Sequence, residues 1–343
     1  MGNIYFRCKD TLQLSHKYIS EWLFSDAAGR YQLDMKDAFR EMGGAFLEVY
    51  KSNPEKVTAY EAYHLHDYVN TLTSMRAQNL LLDGLLHGIV IRYGDFAKTW
   101  SRYETSMRYY ILSEEMALAE SAEENGFDRL FRYGQSLSRE GDIHKLQSKY
   151  RKAHELYYKA RILFEKIADG RGTLDDLRGL SVIYEKIGGI YEKQRQYWKA
   201  LELYRKDRDL SERIARERGM LSDLRSLSVS YYKIARIFEK QTRYNEALEM
   251  HRESLKLFER ISMERGTLDD LWDLSVSYYT IGGIHEKRCR FEEALQMFRK
   301  SMELKNKIVA ERGTLDDLKG LSVNYYKIAG VYKTQGRYTE ILL

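Results

Sequence analysis

Three pairs of adjacent carboxylates, Asp175/Asp176, Asp269/Asp270 and Asp316/Asp317, are the first candidates for chemistry. Two carboxyl groups held in different surroundings can divide acid and base work between them. Each pair, however, sits in the same phrase, GTLDDL, and a reaction centre gains nothing from being copied along a chain. Thr173, Thr267 and Thr314 stand three residues before the second aspartate, a spacing that resembles a helix-capping box, so the pairs read as helix starts. Cys289 lies in KRCRF beside Lys287, Arg288 and Arg290, neighbours that favour a thiolate. No partner base is identifiable, and it reads as an incidental exposed cysteine. His64 and His66 are two apart and fall on different sides of a helix, whereas chelation on a helix wants a spacing of three or four. The sequence therefore predicts no catalytic residue, no metal site and no cofactor.

The elements that carry these residues repeat. Gly172, Gly219, Gly266 and Gly313 are 47 residues apart, and each opens nearly the same phrase: GTLDDLRGLSV, GMLSDLRSLSV, GTLDDLWDLSV and GTLDDLKGLSV. A period of this length signals a solenoid, whose units pack on their neighbours and display long surfaces. Within one unit Leu177, Leu180, Tyr184, Ile187 and Tyr191 mark an apolar helix face. The pattern breaks near Gln194 to Gln196, and a second helix carries Ala200, Leu203, Leu210 and Ile214. Arg216 and Arg218 suit its last turn, and Gly219 suits a left-handed cap. Each unit thus reads as two antiparallel helices of about 20 residues.

The same register places Gly94, Gly141, Gly188, Ala235, Gly282 and Ala329 at one position, all small, as a close helix crossing needs. Aromatics recur at Tyr110, Tyr157, Tyr204 and Phe298, with His251 once in their place. His144 and His285 share a position with Tyr191, Phe238 and Tyr332, and read as packed rings. Asp207 departs from its register: Ser113, Ala160, Ser254 and Ser301 are its equivalents. A carboxylate at such a packing position needs a partner, for which a nearby Tyr or Arg is expected. The register gives five full units starting near Gln78, residues 78–343 in all, with a sixth cut short at Leu343.

Composition agrees. Pro54 is the only proline among 343 residues, so helices meet almost no breaker. The net charge of +5 is too small a surplus to require a nucleic-acid partner. Binding of RNA through the Lys/Arg-rich turns is the weaker alternative and would fall steeply with salt. Cys8 and Cys289 form no disulfide framework and suit a reducing cytoplasm, the expected location. No signal peptide, spanning segment or myristoylation pattern is present, so no membrane association is expected.

Gly188-x2-Tyr191 followed by Ala200-x3-Tyr204 resembles the tetratricopeptide signature of a small residue, an aromatic, an alanine and an aromatic. The usual unit of that family has about 34 residues, so this one is about 13 longer, and it lacks the closing proline. The resemblance implies an all-α fold, a right-handed α-α superhelix. Residues 1–75 do not follow the repeat. IYFRC and LQLSH read as short strands, and HKYISEWLF and the stretch from Asp34 to Tyr50 as helices. His16 to Leu23 resembles the "HKSIxDWL" segment that follows the nucleotide-binding module in NACHT-type signalling ATPases, and Tyr63 to His66 resembles their "YLPYHL" phrase without its proline. The chain contains no G-x-x-x-x-G-K-[ST] loop, so nothing supports ATP hydrolysis by these residues.

The tetratricopeptide resemblance implies a groove lined by the first helix of each unit. Carried over position by position, its lining is Glu185, Gly189, Glu192 and Lys193; then Tyr232, Arg236, Glu239 and Lys240; then Tyr279, Gly283, Glu286 and Lys287; then Tyr326, Gly330 and Lys333. Tyrosine and arginine are typical anchors at interfaces. The lysine/asparagine clamp some relatives use for a C-terminal carboxylate is not matched, since Asn324 has Ile183, Ser230 and Ser277 as equivalents. The expectation is a non-catalytic scaffold that binds a protein or peptide. The alternative is the sensor arm of a NACHT-like (STAND) ATPase that lacks its own P-loop. The sequence stops six residues into a further second helix, Tyr338 to Leu343. That end is expected to fray or to be buried by self-association.

Overall fold

The structure, a computed structural model, describes residues 5–8, 11–14, 87, 90–91, 94–95, 97–99, 101–119 and 126–341. The expected helices before residue 75, His64, His66, the boundary at 75–78 and the NACHT-like phrases lie outside the described residues. Two short strands, β1 (Tyr5–Cys8) and β2 (Thr11–Leu14), pair antiparallel, with Tyr5 opposite Leu14 and Cys8 opposite Thr11. The expected strands at IYFRC and LQLSH are thus present.

The described residues from 87 to 99 are helical, and after them come α1 (Tyr103–Ala119), α2 (Gly126–Leu146), α3 (Tyr150–Gly170), α4 (Leu174–Lys193), α5 (Tyr197–Arg218), α6 (Leu221–Lys240), α7 (Tyr244–Glu264), α8 (Leu268–Lys287), α9 (Phe291–Glu311) and α10 (Leu315–Thr334). A 3-10 turn, Thr339–Ile341, stands where a further second helix was expected to open. The chain divides into two compact units, Met1–Leu163 and Phe164–Leu343.

In the first unit α1 packs on α2. The hydroxyl of Tyr110, on α1, donates to Asp95 at 2.7 Å, and Arg139, on α2, donates to the other oxygen of Asp95 at 3.0 Å. Gly94 lies under the Tyr110 ring and Gly141 under the Tyr157 ring, so close that a Cβ would enter the aromatic.

In the second unit each helix from α4 to α10 packs on the next, giving hairpins α4–α5, α6–α7 and α8–α9, with α10 last. Local chemistry sets their limits. Thr173, Thr267 and Thr314 have extended backbone and form complete capping boxes: the hydroxyl accepts from the N–H of Asp176, Asp270 or Asp317, whose carboxylate accepts the threonine N–H. Met220 has the same extended backbone at the start of α6 and offers no side-chain cap. Gly219 ends α5 in the left-handed region (φ 69°), donating its N–H to the Ala215 carbonyl. The turn inside each hairpin also needs one left-handed residue, and here it is not glycine: Arg195, Thr242 and Cys289.

The helix crossing is set by Gly188, whose added Cβ would lie 2.7 Å from Tyr204 Cε1, and by Gly282 against Phe298 in the same way. One core cluster gathers Tyr204, Ile234, Ile237, Phe238, Ile281 and Ile284 across α5, α6 and α8. A second gathers Ala215, Leu224, Leu227, Phe258, Ile261 and Leu274. At α10 this face has no successor among the described residues. Leu318 is 46% exposed where its equivalents Leu177 and Leu224 are 5%, and Tyr325 is 53% exposed where Tyr184 is 8%. No described helix is long and apolar enough to cross a membrane.

Candidate functional site

The second aspartate of each carboxylate pair is buried, and it is more than a cap. Asp176, Asp270 and Asp317 each accept from the arginine five residues earlier: Arg171, Arg265 and Arg312. Asp223 accepts likewise from Arg218, at 3.0 and 3.1 Å. A further arginine reaches over from the preceding hairpin, Arg178 to Asp223 and Arg225 to Asp270. Hydrogen bonds from Arg265, outweighing burial, hold the Asp270 carboxyl well below the usual range. Burial alone would raise the Asp176 carboxyl, but the Arg171 and Thr173 hydrogen bonds bring it below the ordinary value. Carboxylates held ionised in this way clamp one hairpin onto the next and have no proton to trade near neutrality.

The acidic residues expected to line a groove all meet cations, Glu192 and Glu239 those of other expected lining residues and Glu185 and Glu286 the unexpected Lys233 and Lys327. Glu185 pairs with Lys233. Glu192 accepts from Arg236 at 2.6 Å and from the Tyr204 hydroxyl at 2.9 Å, and Lys240 lies 3.4 Å away. Glu239 stands 2.9 Å from His251 Nε2 and 3.1 Å from Lys287, and these two groups hold its carboxyl low against the upward push of burial. Glu286 pairs with Lys327 at 2.8 Å. The ladder therefore runs across successive first helices, α4 to α6 to α8 to α10. Tyr232 meets the His251 ring edge-on, with centroids 5.4 Å apart, and Tyr279 tilts against Phe298 at 5.5 Å. Tyr326 is 78% exposed. Lys193 and Lys333 are exposed. Asn324 is buried and accepts from Lys305 Nζ at 3.2 Å. Cys289 is exposed in its turn. His285 is buried as a packed ring, and burial lowers its basicity.

Asp207 lies at the centre of a different arrangement. It is buried on α5, but its expected partner is corrected: among the described residues no Tyr or Arg pairs with it. Three hydroxyls do. Ser181 on α4 donates to Oδ1, Ser211 one turn along α5 stands 3.4 Å from the same oxygen, and Ser230 on α6 donates to Oδ2 at 2.8 Å. The reason is position: Asp207 faces the first halves of α4 and α6, where the register supplies serines. Burial pushes its carboxyl up to about 6, against the pull of the Ser181 and Ser230 hydrogen bonds.

A cavity of about 270 Å³ opens beside it, lined by Val182 and Glu185 of α4, Asp207 and Ile214 of α5, and Arg225 and Val229 of α6, among others. Its origin is visible in the register. Phe164, Phe258 and Lys305 are the large equivalents of Ser211, and Ala117 is the small one. Phe258 is buried in the second core cluster, and Lys305 is buried with its Nζ on the Gly320 carbonyl and over the Trp272 ring. At Ser211 the filler is missing. Ser181, Ser211 and Ser230 are not singled out by the sequence reading, although comparison along the register at position 211 carries the signal.

With this geometry in hand, known proteins place the fold. A tetratricopeptide-repeat family model matches residues 226–307. Among solved structures, BtubC from P. vanneervenii is similar at 20% identity, over 70% of this chain and 86% of that one, with a TM-score of 0.54. The aspartyl phosphate phosphatase F of Bacillus subtilis is similar at 11% identity, over 90% and 88%, with a TM-score of 0.55. A signal-transduction ATPase with numerous domains (STAND) with a tetratricopeptide repeat sensor, from Pyrococcus horikoshii, is similar at 15% identity, over 93% of this chain and 44% of that one, with a TM-score of 0.53. A search of curated proteins gave no match. The fold is a tetratricopeptide-type α-α solenoid. Identities this low speak for the fold alone.

Proposed function

We propose that the chain is a non-catalytic scaffold that binds a protein or peptide along the first helices of its hairpins. The observation that supports this reading is the ion-pair ladder Glu185–Lys233, Glu192–Arg236, Glu239–Lys287 and Glu286–Lys327. It fixes consecutive first helices in register, and a surface fixed before binding loses less entropy when a partner settles on it. Side chains at its edge, Tyr326, Lys193 and Lys333, offer rigid area and charge.

Panning a random peptide library on the full chain tests this. Enriched peptides are expected, with binding weakened about tenfold or more by Tyr326→Ala together with Lys333→Glu. Failure to enrich any sequence over the helix-matched variant counts against the scaffold.

A second reading is a sensor arm of a STAND-type ATPase, with the nucleotide-binding module on other residues or another chain. It is prompted by the fold shared with the sensor-bearing Pyrococcus horikoshii protein, over 93% of this chain and 44% of that one. Co-purification with a P-loop ATPase whose turnover changes on adding this chain supports that reading, and an ATPase indifferent to it speaks against.

A further inference from the structure

We propose that the cavity beside Asp207 receives the side chain of a lysine or arginine carried by the bound segment; this deepens the scaffold reading and rests on it. Three departures from the repeat coincide there. Ser211 stands where the units on either side carry Phe164 and Phe258 and the last carries Lys305, which opens the space; of its equivalents only Ala117 is also small. Asp207 stands where Ala160, Ser254 and Ser301 stand, which puts a carboxylate at its floor. Glu185 stands where Tyr232, Tyr279 and Tyr326 stand, which adds a second carboxylate to its wall.

The charges around the cavity are unevenly spent. Arg178 is held by Asp223, and Arg225 by Asp270 and Asp273, so the guanidinium side is already neutralised. Glu185 is held by Lys233. Asp207 is buried to 5% exposure and has hydroxyl partners only; among the described residues no lysine or arginine pairs with it. A buried carboxylate whose nearby cation, Lys233, is already paired with Glu185 is the expensive element of the site, and a cation delivered from outside lowers that cost. An anionic guest would meet Asp207 head on.

The remaining lining selects the shape of the guest. Val182, Val229 and Ile214 form an apolar wall, and Val182 is 40% exposed. A cationic head on an aliphatic stem satisfies both parts, with the stem on the valines and the head on the carboxylate. Lysine and arginine have that form. Burial also raises the proton affinity of Asp207, so the protonated acid competes with the cation and binding strengthens as pH rises through about 6. Of the other ionisable groups facing it, Glu185 and Arg178 on α4 and Asp223, Arg225 and Lys233 on α6 are paired with one another or with Asp270 and Asp273.

Capped single residues test the proposal on the full chain, with amide chemical shifts of Ser181, Asp207 and Ser230 as the readout. Nα-acetyl-lysine methylamide and its arginine counterpart are expected to shift these amides saturably, and the norleucine counterpart is not. Asp207→Asn keeps the shape and removes the charge, and is expected to weaken the cations about tenfold or more. Ser211→Phe refills the space and is expected to abolish the response. Equal shifts from norleucine, or cation binding unchanged in Asp207→Asn, overturn the proposal. Tighter binding of n-butylammonium than of the capped lysine would overturn the peptide origin and assign the cavity to a free amine. Library peptides that bind equally well to Ser211→Phe leave the scaffold standing and sink the cavity. Loss of all peptide binding with the capped-lysine response intact does the reverse.

Discussion

Hairpins α4–α5 and α6–α7 share one backbone plan and differ at nearly half of their side chains, and the buried differences where α5 or α7 meets the first helices include two kinds. Gly188 with Tyr204 against Ala235 with His251 is an exchange of volume that leaves the packing full. His251 approaches Glu239 as Tyr204 approaches Glu192, each at 2.9 Å, so even the polar contact survives. Asp207 and Ser211 against Ser254 and Phe258 are not an exchange. Space is lost from the packing and a buried charge is gained, which the serine hydroxyls and the nearby Lys233 offset only in part. In a repeat, neighbouring units are an internal control for what the fold needs. The neighbouring unit keeps the fold without an aspartate or a serine at these positions, which is in keeping with the binding role proposed for Asp207 and Ser211.

The largest effect is expected where the filled layer is made to look like the open one. Phe258→Ser removes a buried ring from a cluster with Leu224, Leu227 and Ile261, and should cost about 4 kcal/mol in denaturant unfolding. A loss below about 1 kcal/mol would mean that the layer collapses easily and that the Ser211 cavity is not a fixed feature.

The converse change, Asp207→Ser, should stabilise. The native carboxyl titrates near 6 and the ordinary aspartate value is 3.8. As pH rises between these values the unfolded chain gives up this proton while the folded chain keeps it, so native stability falls, and the whole deficit is present above the folded value. The gain from Asp207→Ser should therefore be about 3 kcal/mol near neutral pH and vanish near pH 4. A pH-independent gain would show that the carboxylate is not strained by burial.

How far these features were legible depends on the range of the physics behind them. Thr173 and Asp176 are three residues apart and cap through their own backbone, so the phrase alone announces the helix start. Gly219 sits at a position only a left-handed residue fills, and is equally plain. The arginine clamps were harder to see, since Arg178 and Asp223 are 45 residues apart and meet only once successive helices are stacked. Their trace is the recurrence of Arg171, Arg218, Arg265 and Arg312 at the repeat period. The partners of Asp207 were hardest. Serine is a neutral presence on any helix face, and nothing in Ser181 or Ser230 alone says that it points at a carboxylate. The groove residues were readable as positions, but not as partners of one another. That requires knowing that Glu192 lies beside Arg236 rather than in open solvent.

The volume exchange can be tested next. Gly188→Ala places a Cβ 2.7 Å from Tyr204 Cε1 and 2.9 Å from Cδ1, and should cost about 2 kcal/mol. Adding Tyr204→His reproduces the combination found one hairpin on and should recover most of that loss, because the smaller ring clears the methyl and keeps a donor toward Glu192. If the double variant is no better than the single one, the two hairpins do not share a crossing geometry.

The smallest effect concerns the first turn of α6. Met220 has φ −73° and ψ 149°, against −67° and 160° for Thr173, so the backbone already has the shape of a capped start. Its side chain is 54% exposed and gives the helix no hydrogen bond. Asp223 still takes its arginines, which shows that the clamp does not depend on the capping hydroxyl. Met220→Thr should therefore add the missing half of the box without moving the backbone, for a gain of about 1 kcal/mol. Amide exchange localises the effect. The N–H of Asp223, which now has only the tight 2.9 Å contact to the Met220 carbonyl, should become better protected, while amides of α4 stay as they are. If stability rises but protection at Asp223 does not, the gain comes from removing an exposed methionine, and the capped and uncapped hairpins differ less than their sequences suggest.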